Sequence, residues 1–267
     1  MSQTWLLDPT SGFIYRGLLS PLFVTAVISS LNLSSGKIRW STMVIHNSVV
    51  LITSAGTILG RTLALHFASL GAKVVITDKN ASLLKGTYRE CIESGFNVCT
   101  YALPDDTQHN VDDMFSYIES FYNHGVDILI NNWENHPLPT LVSPTPAEEF
   151  SAQFSHLVQS LFSCGHACAE QMRKNHQQGV IVNILTNERS DSIIGTESTS
   201  SMVSGLTKSW AKELNPFDIR VGGILPSVHH SRHDDYQNSF ANIREELIRN
   251  TEYIVSNDSF NGRVMSW

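Results

Sequence analysis

The sequence predicts a doubly wound α/β fold, a parallel sheet with helices on both faces, as a single domain from Met43 onward. Three observations predict it. Short β-branched apolar runs alternate with amphipathic runs of about ten residues or more, the pattern of strands joined by crossover helices. Several strand runs are apolar without a break, as strands covered on both faces must be. The helical runs close on glycine, as at Gly71 and Gly95, where a left-handed residue ends a helix most cheaply.

Taken in order, SVVLITS (48–54) is the first strand, a Gly-bearing turn follows, and RTLALHFASLG (61–71) has apolar residues at helical spacing. AKVVITD (72–78) is the second strand and LLKGTYRECIESG (83–95) the second helix. NVCTYAL (97–103), VDDMFSYIESFYNHG (111–125) and VDILINN (126–132) give a third strand, a third helix and a fourth strand. A long helix over Ala147 to Lys174 leads into the strand GVIVNIL (179–185). A helix from about Ser200 to Leu214 leads into IRVGGIL (219–225).

At 267 residues the chain is long enough to bury one full core. Its net charge of -7, without a Lys/Arg cluster, excludes nucleic acid as the main partner. Cys91, Cys99, Cys164 and Cys168 show no CxxC spacing, so they read as small buried hydrophobes in a reducing, cytoplasmic setting rather than a metal or disulfide framework. Residues 1–42 form a separate N-terminal extension. Its apolar segment Gly17–Leu33, interrupted by Pro21, is shorter than the ~20 residues a spanning helix needs. A dispensable extension is the expectation, with a signal or membrane-associating segment as the alternative.

A strand, a Gly turn and a helix make the place where a Rossmann-like fold receives a pyrophosphate, on backbone N–H groups and a helix N-terminus. The turn here is Thr53-Ser54-Ala55-Gly56-Thr57-Ile58-Leu59-Gly60. Asp78 ends the second strand about twenty residues on, where a carboxylate accepts from an adenosine ribose and favours NAD over NADP.

On these residues the chain resembles the short-chain dehydrogenase/reductase family. Thr53 to Gly60 stands against the family's TGxxxGxG, and Ile130-Asn131-Asn132 against NNAG. VIVNI (180–184), GLTKSWAKEL (205–214), IRVGGILP (219–226) and NGRV (261–264) follow in the family's order. The resemblance implies NAD as cofactor, held by Thr53, Ser54, Gly56, Ile58, Gly60, Asp78 and Asn131. It also implies pairing, as a homodimer or with a paralogue, through the helices over Ala147–Lys174 and Ser200–Leu214.

The departures from the family pattern are as informative. The first two glycines of its turn fall on Ser54 and Ile58; a β-branched Ile at positive φ is an outlier, so a reshaped turn is expected, with Gly56 compensating in part. The small pair after the fourth strand falls on Trp133-Glu134, where a Trp folds outward as a lid, packs under a loop, or fills the cofactor's space. Dinucleotide binding and its absence both stay open on these residues.

In the family a Tyr acts as general acid/base, a Lys one helical turn on lowers its pKa, a Ser holds the substrate oxygen and an Asn supports a relay water. A phenol needs a fixed cation to titrate near working pH. Those positions fall here on Thr196, Ser200, Thr186 and Leu157. No Tyr lies between Tyr122 and Tyr236, and YxxxK occurs nowhere. Ordinary catalytic residues are therefore not expected. His229, His230, His233, Asp234 and Asp235 raise a metal site against a solvated polar loop, and the loop is the expectation. Glu188 or His230 could form a new acid/base site near Thr186.

Three functions are compatible with this pattern. The first is a degenerate family member without oxidoreductase turnover, serving as a nucleotide-sensing or protein-interaction scaffold. The second is a divergent NAD(P)-dependent oxidoreductase acting on a small carbonyl or alcohol. The third is a decaying coding sequence.

Overall fold

The computed structural model describes residues 5–7, 14–16, 43–134, 138, 139, 141, 142, 144–186, 196–226 and 236–266, with the backbone alone for 5–7, 14–16, Glu134, Thr196 and 236–242. The chain divides into two compact units, Met1–Trp40 and Ser41–Trp267. In the first, Trp5–Leu7 pairs antiparallel with Ile14–Arg16.

The second unit is built on one seven-stranded sheet. In chain order its strands are β1 (Val49–Ile52), β2 (Lys73–Asp78), β3 (Cys99–Ala102), β4 (Ile128–Glu134), β5 (Gly179–Thr186), β6 (Ile219–Leu225) and β7 (Val264–Ser266). The helices are α1 (Ile58–Ser69), α2 (Ala81–Glu93), α3 (Gln108–Tyr122), α4 (Ala147–Lys174), α5 (Thr196–Leu214) and α6 (Tyr236–Ser256). Spatial order is β3-β2-β1-β4-β5-β6-β7, and every pairing is parallel. The strand order reverses between β1 and β4, and a crevice opens at such a switch point, outside the carboxyl ends of the strands.

Period-two alternation explains the two cores. Val50, Ile52, Ile128, Ile130, Val180 and Val182 face one side, under Leu63 and Phe67 of α1 and Ile254 and Val255 of α6. Val49, Leu51, Leu129 and Ile181 face the other, under Met114 and Ile118 of α3 and Cys168 and Met172 of α4. The strand runs are apolar because both faces are covered.

Local signals set the helix ends. Thr57 caps α1 by accepting from Gly60 N, and Asn80 caps α2 by accepting from Ser82 N and Leu83 N. Gly71 and Gly95 take φ of +81° and +85° after α1 and α2, as expected. After α3 the left-handed residue is Asn123 at φ +51°, two residues before Gly125. α5 begins at Thr196 rather than about Ser200, so the hydroxyl run is helical. α6 is 21 residues long. Its far end is gathered by Arg220 of β6, whose guanidinium donates to the carbonyls of Ile254, Val255, Asn257 and Phe260. Among the described residues no helix is long and apolar enough to cross a membrane; segment 17–33 lies outside them.

Candidate functional site

The carboxyl ends of β1 to β4 open into a groove of about 750 Å³ closed on one side by α4. Its described lining runs from Thr53 to Cys164, so it belongs to the β3-β2-β1-β4 half of the sheet.

The turn is held by side-chain hydrogen bonds as well as by glycine. Ser54, at the position of the family's first Gly, itself takes φ +46°. Three donors hold its carbonyl: Thr57 Oγ1 at 2.8 Å, Thr57 N at 3.2 Å and Asn132 Nδ2 at 3.4 Å. Ile58 is the first residue of α1, outside the left-handed region and 56% exposed, so the expected steric conflict there does not arise. Gly56 does not compensate through positive φ either. It is needed for close approach: a Cβ there would lie 2.6 Å from Leu83 Cβ and 2.9 Å from Asp78 Oδ2. Gly60 is similar, since its Cβ would meet Ser54 O at 2.4 Å. Thr53 fastens β1 to β4, accepting from Asn132 N at 3.0 Å, with Asn131 Oδ1 3.3 Å from its hydroxyl.

Asp78 sits on the groove wall with both oxygens anchored. Oδ2 accepts from Gly56 N at 2.8 Å and Oδ1 from Asn80 N at 2.7 Å. A carboxylate oxygen has about two acceptor positions, so each keeps one for a ligand hydroxyl. Thr77 also lines the groove, and its Oγ1 is buried without a hydrogen-bond partner among the described residues. A strand-end carboxylate, an orphaned hydroxyl and a helix N-terminus fit the adenosine ribose and phosphate of a dinucleotide. Those residues would hold that half of an NAD.

The reacting half is different. Trp133 does not fold outward: it is 6% exposed, and its Nε1 donates to Asn131 Oδ1 at 3.1 Å. It packs with Leu138, Leu157, Leu161, Leu185, Val203 and Leu225 in an apolar cluster at the carboxyl ends of β4, β5 and β6. Leu157, at the relay Asn position, is therefore a core residue. Thr186 is buried and donates to Trp133 O at 2.9 Å. Ser200 Oγ, at the Lys position, is buried without a partner among the described residues; Thr196 opens α5. No member of this cluster ionises. Cys164 reaches the groove, but burial pushes its thiol up to about 12, which leaves no thiolate nucleophile near neutral pH.

The sequence reading missed one polar group. Lys79, next to Asp78, is ion-paired to Asp106 in the loop after β3, and Asp106 accepts from Ser160 Oγ of α4. His156 Nε2 lies 3.4 Å from Lys79 Nζ. The signal available was the Asp105-Asp106 pair just past a strand's carboxyl end. The His229–Asp235 segment and Glu188 lie outside the described residues, among which no His/Cys/Asp/Glu cluster could hold a metal.

Comparison with known proteins agrees with this geometry. The family model for short chain dehydrogenases matches residues 48–241. An uncharacterized oxidoreductase of Thermotoga maritima is 30% identical over 189 residues, 68% of this chain and 72% of its own. A diacetyl reductase [(S)-acetoin forming] of Staphylococcus epidermidis is 26% identical over 80% of this chain and 81% of its own. The solved structure of an NAD+-bound xylitol dehydrogenase superposes with a TM-score of 0.68 at 19% identity, covering 83% of this chain and 98% of that one. The parallel sheet in its order, the strand-end groove and the match over most of the chain lead to one assignment: this protein belongs to the short-chain dehydrogenase family.

Proposed function

We propose that residues 43–267 bind an adenine dinucleotide, NAD(H) in preference to NADP(H), and act as a divergent oxidoreductase on a small carbonyl or alcohol. The observation that carries the binding is Asp78, fixed by two backbone amides at the end of β2 with acceptor capacity left on both oxygens. Family membership and relatives named as reductases and oxidoreductases support the redox assignment. The bound nicotinamide would supply the hydride chemistry. The chain's part is to orient the ribose at Asp78, to satisfy Thr77, and to exclude water with the Trp133–Leu157 cluster. A proton donor other than a Tyr–Lys pair is required, since Thr196 and Ser200 occupy those positions.

A second reading has its own observation. An apolar cluster without an ionisable group, at the positions where the family keeps a polar relay, suits a nucleotide-sensing or interaction scaffold without turnover. Calorimetric titration of the protein with NAD, NADH, NADP and NADPH, followed by NADH oxidation against a panel of small ketones and aldehydes, decides between them. Micromolar binding with turnover supports the oxidoreductase; micromolar binding without it supports the scaffold; a folded protein that binds none of the four excludes both dinucleotide readings.

Phe150, Phe154 and Phe162 are exposed on α4, and the proposal includes pairing through α4 and α5, which light scattering of the eluting protein measures. The four free, buried thiols support a reducing, cytoplasmic setting.

A further inference from the structure

We infer that Asp106 is a specificity-determining residue, which by holding Lys79 keeps the groove closed to adenosine carrying a 2′-phosphate. The inference rests on the reading of the groove as an adenosine site. Among the described lining residues Lys79 is the one permanent cation, and it follows directly on the ribose-binding carboxylate. In a groove of this kind a basic side chain beside the strand-end position accommodates a 2′-phosphate. Left free, Lys79 would work against the preference that Asp78 sets.

It is not free. Its ammonium is ion-paired to Asp106, whose side chain is 11% exposed against 42% for Lys79. Asp106 is held in turn: its carboxylate accepts from Ser160 Oγ, and its backbone carbonyl from Gln159 Nε2 at 3.3 Å. Both partners lie on α4, so the long helix fixes the anion that fixes the lysine. Apart from His156, the described lining carries Asp78, Lys79 and Asp106 as its charges, a net of minus one. A 2′-phosphate adds about −1.5 to −2 at neutral pH, and it meets two carboxylates and a lysine already paired. An unphosphorylated ribose meets no such repulsion.

The test uses ADP-ribose and 2′-phospho-ADP-ribose, which differ by that phosphate alone and carry no nicotinamide to meet Trp133. Binding to the full chain is measured by calorimetry, with melting temperature as a check on folding. The wild type is expected to favour ADP-ribose at least tenfold. Asp106→Asn should bring the ratio to about one, by improving the phosphorylated ligand rather than weakening the other. Adding Lys79→Gln to Asp106→Asn should return the preference. Ser160→Ala, which loosens Asp106 but keeps its charge, should move the ratio the same way by a smaller factor; it serves if Asp106→Asn does not fold.

A ratio unmoved by both Asp106→Asn and Ser160→Ala overturns the inference. So does a gain that survives removal of Lys79, since the effect would then be overall charge and not release of the lysine. A folded wild type that binds neither ligand is a different result: it rejects the adenosine reading of the groove, and this inference falls with it.

Discussion

Replacing Trp133 with alanine separates a residue that fills the reacting half of the site from one that only borders it. The side chain is 6% exposed, packs among six apolar residues and spends its only donor on Asn131. Truncating a buried aromatic of this size costs about 3–5 kcal/mol, because the neighbours collapse only partly into the space left. For a domain of this length 1 kcal/mol moves the melting temperature by roughly 2–4 °C, so Trp133→Ala should melt roughly 6–20 °C lower. The same variant should bind NAD more tightly relative to ADP-ribose, since the space vacated lies where the family keeps a small residue. Thermal denaturation and paired calorimetric titrations read the two effects separately. A melting temperature within about 2 °C of wild type would show that Trp133 is no member of the core. An unchanged ratio of NAD to ADP-ribose would show that it does not limit the nicotinamide end.

Three further substitutions or titrations probe the same architecture. Ser54→Gly relieves a left-handed backbone that costs a non-glycine residue about 1–2 kcal/mol, less glycine's extra entropy, and should raise the melting temperature by a few degrees; a fall would show that the serine side chain stabilises the turn. Gly56→Ala should destabilise by about 1–3 kcal/mol through overpacking, because its Cβ meets Leu83 and Asp78, and should weaken ADP-ribose binding as Asp78 is displaced. Alkaline titration should destabilise the fold. Burial lifts the Cys164 thiol from 9.0 to about 12, so in the native state it stays protonated while the unfolded chain ionises. Its contribution is complete below pH 9 and declines as pH rises towards 12, by up to about 1.4 kcal/mol per unit. Denaturant unfolding at pH 8 and pH 10.5 measures it, and Cys164→Ala should flatten the slope.

The fold was legible because its signals are local and repeated. Uninterrupted apolar runs such as VVLI and VDILI required two covered faces, and Gly71 and Gly95 marked helix ends by a conformation few other residues take. The boundary of α5 was misplaced because Ser and Thr compete for backbone groups in short peptides, while in the folded chain Val203 buries the helix against Leu157 and Leu185. The site was harder to read. The turn lacks two of the family's glycines, yet Ser54 adopts the left-handed backbone itself, held by Thr57 within the turn and by Asn132 from a distant strand. The inward turn of Trp133 depends on Leu185, Val203 and Leu225 meeting it from three other elements, and Lys79–Asp106–Ser160 joins a strand end, a loop and a helix. No window of sequence contains such a contact.

Arg220 has a consequence for how the two halves of the site yield to fluctuation. One planar guanidinium collects four carbonyls at the end of α6; an ammonium has three donors and could not satisfy them all. Opening of this clasp frees the chain that leads into β7, and Val264 of β7 packs against the Trp133–Leu157 cluster. The described lining of the adenosine groove touches that cluster only at Trp133 and Leu157 and includes nothing from α6 or β7. Sub-global opening proceeds in contiguous units of differing free energy. The C-terminal strand should therefore exchange its amide hydrogens sooner than β1 and β2, exposing the apolar end of the site while the nucleotide end keeps its shape.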